Sequence, residues 1–437
     1  MLGYYFRLAA ISIRGNWVLS ALMIAAIGLG IGVCMTIVTV NYVMGSDPIP
    51  NKSGQLLYVQ VDSWDPNSPF DEPNEPPDQL TYTDAMALMA AARAPRQVAS
   101  VGASYVVEPD DRDIKPFTAS GRATHADFFP MFEVPFLFGS GWSQQADEQR
   151  ELVAVLSRRT NDRLFGGENS VGRSVRLGGH LFQVIGVMDE WRPMPRFYDV
   201  TTGPFNQVEE IFVPFNVLID LRLSRSGNTN CWKPNDESGF EAFLASECIW
   251  VQMWVELPDA VARAQYLAFL DDYVRDQKTL GRFPRPLNNR LSDVNDWLAN
   301  QEVVQEEARI MLVVAILFLA VCLLNTIGLL LSKFLGKAPE IGLRRALGAS
   351  KRALFAQYLV ESACIGIVGG ILGLALTWLG LQGLVLLLGN LVEPFVQLDW
   401  VMVTSAIVLA VLASIAAGLY PTWRASNIAP ALQLKSQ

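Results

Sequence analysis

At 437 residues, 51% of them hydrophobic and with a net charge of −9, the chain is too apolar for an ordinary soluble enzyme and too charged to lie wholly in a bilayer. The charge is unevenly placed: residues 45–307 carry 23 Lys and Arg against 39 Asp and Glu, a net of −16, while the remainder carries 11 against 4, a net of +7. A large acidic domain is thus joined to a basic membrane part, and the domain has no basic patch of the kind that binds nucleic acid.

In chain order, residues 1–16 read as an amphipathic interfacial helix, with Tyr4, Tyr5, Phe6, Leu8, Ile11 and Ile13 set against Arg7 and Arg14. Residues 17–46 hold no charge, outrun the apolar core of a signal peptide and end in no Ala-x-Ala site, so they predict an uncleaved first span. Arg7 and Arg14 before it and Asp47 after it place the N-terminus inside and the next domain outside. Gly28 and Gly32 form a small-xxx-small face for helix packing.

The extracytoplasmic domain, 47–292, opens with the strand pattern Leu56–Val61 and a Pro/Asp/Asn-rich loop through Pro77. A helix follows at Tyr82–Ala94. Further strands are predicted at Ala103–Val107, Leu152–Leu156, Ser174–Leu177, Leu181–Met188, Ile211–Val213 and Trp250–Glu256, with helices at Arg158–Phe165 and Ala260–Gln277. Strands from both ends bracket a long insert, which predicts a mixed α+β domain in two lobes. Cys231 and Cys248 are its only cysteines; in an oxidising compartment they are expected to bond, closing a loop worth roughly 3 kcal/mol. Two unpaired thiols are the alternative. Cys34, Cys322 and Cys364 lie in apolar runs and read as packing residues.

Residues 293–309 read as a polar stalk helix that feeds, with no Gly or Pro, into a second span at 310–332. Residues 333–354 then carry the densest positive charge of the chain: Lys333, Lys337, Arg344, Arg345, Lys351 and Arg352, beside two membrane runs, where positive charge marks the cytoplasmic side. From Glu340 the pattern is helical, Leu343, Leu347 and Leu354 falling near one face and Glu340 and Arg344 forming an i,i+4 pair. The alternative is a solvated basic loop that only fixes topology. A third span, 355–392, contains Gly366, Gly369, Gly370 and Gly373, two overlapping GxxxG spacings that permit close helix contact. Flexible glycine facing lipid is the competing explanation. Glu361 near the start of this span, costly in lipid, reads as an anchor facing protein or headgroups, since it has no evident partner; the alternative is a proton-relay carboxylate. An outside turn, 393–399, a fourth span, 400–420, and a cytoplasmic tail, 421–437, complete a membrane protein with an α-helical four-span part and a large α+β domain inserted between its first two spans.

Chemistry of its own is not expected. His125 and His180 have no metal-ligand spacing, and neither a GxSxG elbow nor a supported Cys/His pair occurs, so no catalytic or metal residues are predicted. Gly167–Ser174 has the spacing of a phosphate loop, but Arg173 stands where Lys is required and a strand is predicted to follow; its glycines read as turn formers.

Three stretches together are identified as a resemblance. The segment from Glu340 through Ile341, Gly342, Leu343, Arg344, Arg345, Leu347 and Gly348, continued by Tyr358–Glu361 and Gly369-Gly370, resembles the FtsX-like permease signature of MacB-type ABC transporters. Tyr420-Pro-Thr-Trp-Arg424 through Pro430 resembles that family's terminal segment. Asp127-Phe-Phe, Val153–Ser157, Leu164–Gly167, Val171-Gly172 and Phe182–Val187 resemble the MacB-type periplasmic core domain.

The resemblance implies a non-catalytic permease of the mechanotransmission type in the inner membrane, with both termini cytoplasmic. Residues 340–349 would be its coupling element toward cytoplasmic ABC ATPase subunits. It further implies a dimer with a second copy or a paralogue, admits a periplasmic adaptor and an outer-membrane channel, and puts ATP and magnesium at the partner ATPase, with no cofactor on this chain. Two departures stand out. The family's namesake carries a fused N-terminal ATPase, whereas about 16 residues precede the first span here, so a separate ATPase chain is expected. The usual polar lead into Glu-Ile-Gly is replaced by Phe334-Leu-Gly-Lys-Ala-Pro339. Export is the leading function; regulation of cell-wall hydrolases and lipoprotein release are the alternatives.

Overall fold

The computed structural model describes residues 2–109, 111, 113–233, 238–304, 306–388 and 400–426. Residues 46–303 form one compact unit, and the segments before and after them form another.

Among the described residues, four helices of the membrane unit are long and apolar enough to cross a bilayer: Trp17–Met44, Ala308–Gly336, Lys351–Leu386 and Val403–Ser426. The third is central, packing against the first, the fourth and the N-terminal helix Leu2–Gly15. The fourth does not stop at Tyr420; it continues through Pro421 to Ser426. Buried Ala417, Thr422 and Ala425 hold this stretch by packing, and proline is tolerated in spanning helices where neighbours compensate for the lost hydrogen bond. The expected turn at 393–399, the last residues of the third span and everything after Ser426 lie outside the described residues.

The outer unit is built on twelve strands: β1 (Leu56–Gln60), β2 (Leu80–Thr81), β3 (Arg96–Glu108), β4 (Phe117–Thr124), β5 (Phe136–Gly139), β6 (Val153–Ser157), β7 (Ser174–Leu177), β8 (His180–Met188), β9 (Ile211–Pro214), β10 (Asn230–Cys231), β11 (Cys248–Glu256) and β12 (Arg290–Asp293). They form one sheet in the order β12-β1-β11-β3-β4-β9-β6-β8-β5, with β2 and β10 on β11 and β7 bridging β3 and β8. Both expected halves are present. Strands from the two ends of the domain make the β12-β1-β11 edge and the insert makes β4 to β9. However, β3 pairs with β11 through Arg96–Ser100 and with β4 through Val101–Val107, joining the halves into one sheet.

Alternating side chains divide between the two faces of the sheet. Leu57, Val59, Ala154, Leu156, Met253 and Val255 pack with the helices Tyr82–Ala91 and Ala260–Thr279. Leu56, Tyr58, Val153, Val155, Phe212 and Trp254 face the short helix Phe128–Met131 and the helix Val294–Asn300. Because both faces are covered, β1 and β11 are buried almost throughout. Local signals set the helix ends: Ser157 Oγ accepts from Thr160 N (3.2 Å) to open Arg158–Phe165, and Gly166, at φ 65°, closes it.

The continuous stalk expected at 293–309 is not formed. Asp293 caps a separate helix, Val294–Asn300, its carboxylate accepting from Asp296 N at 2.9 Å. Val294, Trp297 and Leu298, spaced i, i+3, i+4, draw that helix onto the sheet, where Trp297 stacks on Tyr58 with centroids 3.8 Å apart. The helix ends at Gln301, Glu302 turns left-handed (φ 46°), and Val303 is buried in the same core. The second spanning helix starts afresh at Glu306. Four apolar side chains that can be buried outweigh the absence of a helix-breaking residue.

Candidate coupling surface and its support

The helix that joins the second and third spans runs Ala338–Ala346, with Pro339 in its first turn, Glu340 near its N-terminus and Arg344 and Arg345 in its last turn, each charge placed favourably toward the helix dipole. It ends sooner than the sequence suggested. Gly348 adopts φ 98°, its N–H donating to Arg345 O (3.1 Å) while Ala349 N donates to Arg344 O (3.0 Å), an arrangement that glycine permits. Ser350 then caps the next helix through Ala353 N (3.2 Å). Arg344 and Arg345 therefore lie on one helix and Lys351 and Arg352 on the next.

One side of this short helix is fixed. Ala338, Ile341 and Gly342 are buried, Ile341 in a cluster with Phe334, Leu354 and Tyr358, and the Phe334 and Tyr358 rings are 4.5 Å apart. Arg344 Nη2 lies 2.6 Å from Glu340 Oε1, and its Nη1 donates to Gln357 Oε1 at 3.1 Å, tying the helix to the third span. The other side is open. Leu343 and Leu347 are 58% and 79% exposed, one turn apart, on the unit's basic segment. Leu354 does not join them; it is buried, because Gly348 redirects the chain before it.

Behind this helix lies a group of charges that are far apart in sequence. Glu361 is not a lone anchor: its Oε1 is 2.7 Å from Lys333 Nζ, and neither side chain touches solvent. Lys333 also donates to Ser20 Oγ (2.9 Å), while Ser12 Oγ donates to Glu361 Oε1 (2.5 Å) and accepts from Lys337 Nζ (2.5 Å). Lys333, counted from sequence among the charges that set topology, is thus part of the interior. The available signal was that Lys333 sits directly before Phe334-Leu335 at the end of an apolar run.

The glycines of the third span work as two stripes. Gly369 and Gly373 approach the first span so closely that an added Cβ would lie 2.8 Å from Ile27 and from Ile31, and reciprocally Gly28 and Gly32 face Leu372 and Leu376. Gly366 and Gly370 face the fourth span, at Ser414 and Ala410. The overlapping GxxxG spacings serve two different neighbours. Close backbone approach of this kind is how helices associate where lipid offers no hydrophobic drive.

In the outer unit, Cys231 and Cys248 are bonded, opposite each other on β10 and β11. Its most elaborate polar cluster centres on Arg122 of β4, which is fully buried, ion-paired with Asp199 and Glu209 (2.7 Å), and hydrogen-bonded to Ser100 and Gln252 (both 3.0 Å). Arg196 and Tyr198 complete it through Glu209, at 3.0 and 2.8 Å. The two guanidinium groups hold both carboxyls below their usual range despite burial. Two other carboxyls go the opposite way: burial pushes Asp147, which accepts from Ala126 N and Trp142 Nε1, and Asp78, which accepts from Gln301, each up to about 6. No group of three or more His, Cys, Asp or Glu that could hold a metal occurs among the described residues. Gly167–Ser174 is a turn. Gly166, Gly167 and Gly172 have positive φ, Gly172 N donates to Val184 O (2.8 Å), Arg173 pairs with Glu168 (3.0 Å), and a strand follows.

Comparison with known proteins adds to this geometry. The model of the MacB-like periplasmic core domain matches residues 20–272, and that of the FtsX-like permease C-terminal region matches 312–430. The chain is 26% identical over 300 residues to the macrolide export ATP-binding/permease protein MacB of Bdellovibrio bacteriovorus, covering 67% of this chain and 40% of that one. It is 23% identical over 384 residues to the pyoverdine export ATP-binding/permease protein PvdT of Pseudomonas aeruginosa, covering 87% and 50%. The chain spans about half the length of the curated relatives it matches. Among solved structures, the periplasmic region of MacB from Actinobacillus actinomycetemcomitans aligns with a TM-score of 0.37 at 15% identity, covering 59% of this chain and 96% of that one. The extracellular domain of the transporter YknZ from Gram-positive bacteria aligns with 0.34 at 14%, covering 55% and 100%.

Proposed function

Because the chain belongs to the MacB/FtsX-like family of ABC transporter permeases, we propose that it is the membrane subunit of an ATP-driven exporter whose ATPase is a separate cytoplasmic chain. The observation that carries the reading is the helix Ala338–Ala346, seated on the bundle by Ile341 and Arg344, with its Leu343 and the capping Leu347 facing outward. Two apolar side chains on an otherwise basic segment are the composition expected of a protein docking face. A push on that helix would pass into the second and third spans, and the second leads through residues 301–305 to the outer domain. ATP and magnesium would sit on the ATPase, the permease would act as a dimer in the inner membrane, and its basic segment would face the cytoplasm. A periplasmic adaptor and an outer-membrane channel would extend the path.

The test is to isolate the permease from its native membrane under mild conditions. An ABC ATPase should accompany it in stoichiometric amount and hydrolyse ATP, and the permease stripped of it should not. Turnover by the stripped permease, or the absence of any ATPase partner, would refute the reading.

A further inference from the structure

Glu361 has a second carboxylate oxygen, and that oxygen is unused. Oε1 takes Lys333 and Ser12, whereas Oε2 is buried with no hydrogen-bond partner among the described residues. A buried carboxylate oxygen left bare is costly and in native proteins calls for an explanation. A buried ion pair is also a weak source of stability, because desolvation offsets most of the attraction. What these residues supply is connectivity: Ser12 belongs to the N-terminal helix, Ser20 to the first span, Lys333 to the end of the second span, Lys337 to the N-cap of the coupling helix just after it, and Glu361 to the third span. Lys337 follows Lys333 by four residues, about one helical turn, and its ammonium is already one hydroxyl away from the carboxylate, through Ser12 Oγ.

We propose that Glu361 is the fixed half of a two-position latch at the root of the coupling helix. At rest, Oε1 holds Lys333. When the ATPase displaces the coupling helix, the second span slides toward the membrane by up to one turn and Lys337 moves onto Oε2. Lys333 keeps its contact through its flexible four-carbon stem, as long basic side chains do in membranes. Lys333, Lys337 and Glu361 are therefore positioning residues that define two registers of the second span against the third, and the unused oxygen is the seat of the second register. This inference rests on the proposed coupling to an ATPase.

The experiment uses the full permease with its co-isolated ATPase in nanodiscs, with spin labels at the exposed Leu335 and Ile367 of the second and third spans. Trapping the complex with vanadate should change the label distance by a few ångström, up to about 5 Å, the rise of one turn. Lys337→Met leaves the resting pair intact; it should keep the resting distance and ATP hydrolysis but lose the shift, and Lys337→Arg should restore it. A complex that turns over ATP with no shift in distance, or a Lys337→Met complex that shifts like the wild type, would overturn the latch. If no ATPase accompanies the permease, the coupling reading falls first, and the latch with it.

Discussion

The two units bury charge and pack helices in opposite ways. The outer domain surrounds Arg122 with two carboxylates, a second arginine, a glutamine and a serine inside a core of Trp254, Tyr58, Phe128 and Phe212, which exclusion from water holds together. The membrane unit gains nothing from hiding apolar surface in lipid. It relies on glycine stripes that bring helix backbones together and, among the described residues, on one buried ion pair with an oxygen to spare. A densely cross-linked network, even with Arg196 Nε lacking a partner among the described residues, is suited to a rigid body; a sparse one leaves room for a second arrangement. Under the proposed coupling, the outer domain would be the stiff body and the membrane part the one that moves.

The largest expected effect breaks the first half of that comparison. Arg122→Met leaves Asp199 and Glu209 in the core with Arg196 as the remaining guanidinium beside both, and should cost about 3–5 kcal/mol. Tryptophan fluorescence during denaturant unfolding of the permease should show the outer domain melting much earlier. An unchanged midpoint would mean that the network is incidental.

A smaller effect, about 1–3 kcal/mol, is expected where the membrane unit is tightest. Gly370→Val and Gly373→Val place a Cβ 2.8 Å from Ala410 and Ile31, whereas Gly383→Val, with open space around it, is the control. Thermal inactivation of the detergent-solubilised protein should separate the first two from the third. Equal behaviour of all three would remove the glycine stripes from the account.

The resemblance and the resulting division into spans and domain were legible because they rest on long runs and short motifs. The ends of Arg158–Phe165 were readable from a serine cap and two glycines. β4 was not. Its FTASGRAT has no apolar alternation, because Gly121 leaves room for the Tyr105 ring and Arg122 points into the polar cluster. The break in the stalk is not legible in sequence, because a left-handed glutamate, Glu302, ends the helix without any breaker residue, and only the pull of Trp297 and Val303 into the core explains it. Leu343 and Leu347 were found from helical spacing, while the partnership of Lys333 with Glu361, far apart in sequence, exists only once three helices are folded together.

The smallest stability effect is a pH dependence confined to the outer domain. Asp78 and Asp147 titrate near 6 when folded and near 3.8 when not, so each adds stability that is full below about pH 4 and is lost as pH rises through 6. The domain should be more stable at pH 5 than at pH 7 by about 1 kcal/mol for each group. Asp199 and Glu209, held low, pull the other way only at more acid pH. Asp147→Asn should flatten roughly half of the pH 5–7 slope, and a slope unchanged by it would contradict this assignment.

The central claim concerns the surface where no stability effect is expected. Leu347 is 79% exposed, so Leu347→Asp should leave insertion, membrane level and melting unchanged. Against a docked ATPase the same carboxylate would be desolvated without a partner, at a cost of several kcal/mol, so the complex should fall apart. The decisive measurement is co-purification of the ATPase with Leu347→Asp permease at wild-type membrane level. The account predicts its loss, and ATPase recovery equal to wild type would show that Ala338–Ala346 is a connecting loop and not the coupling surface.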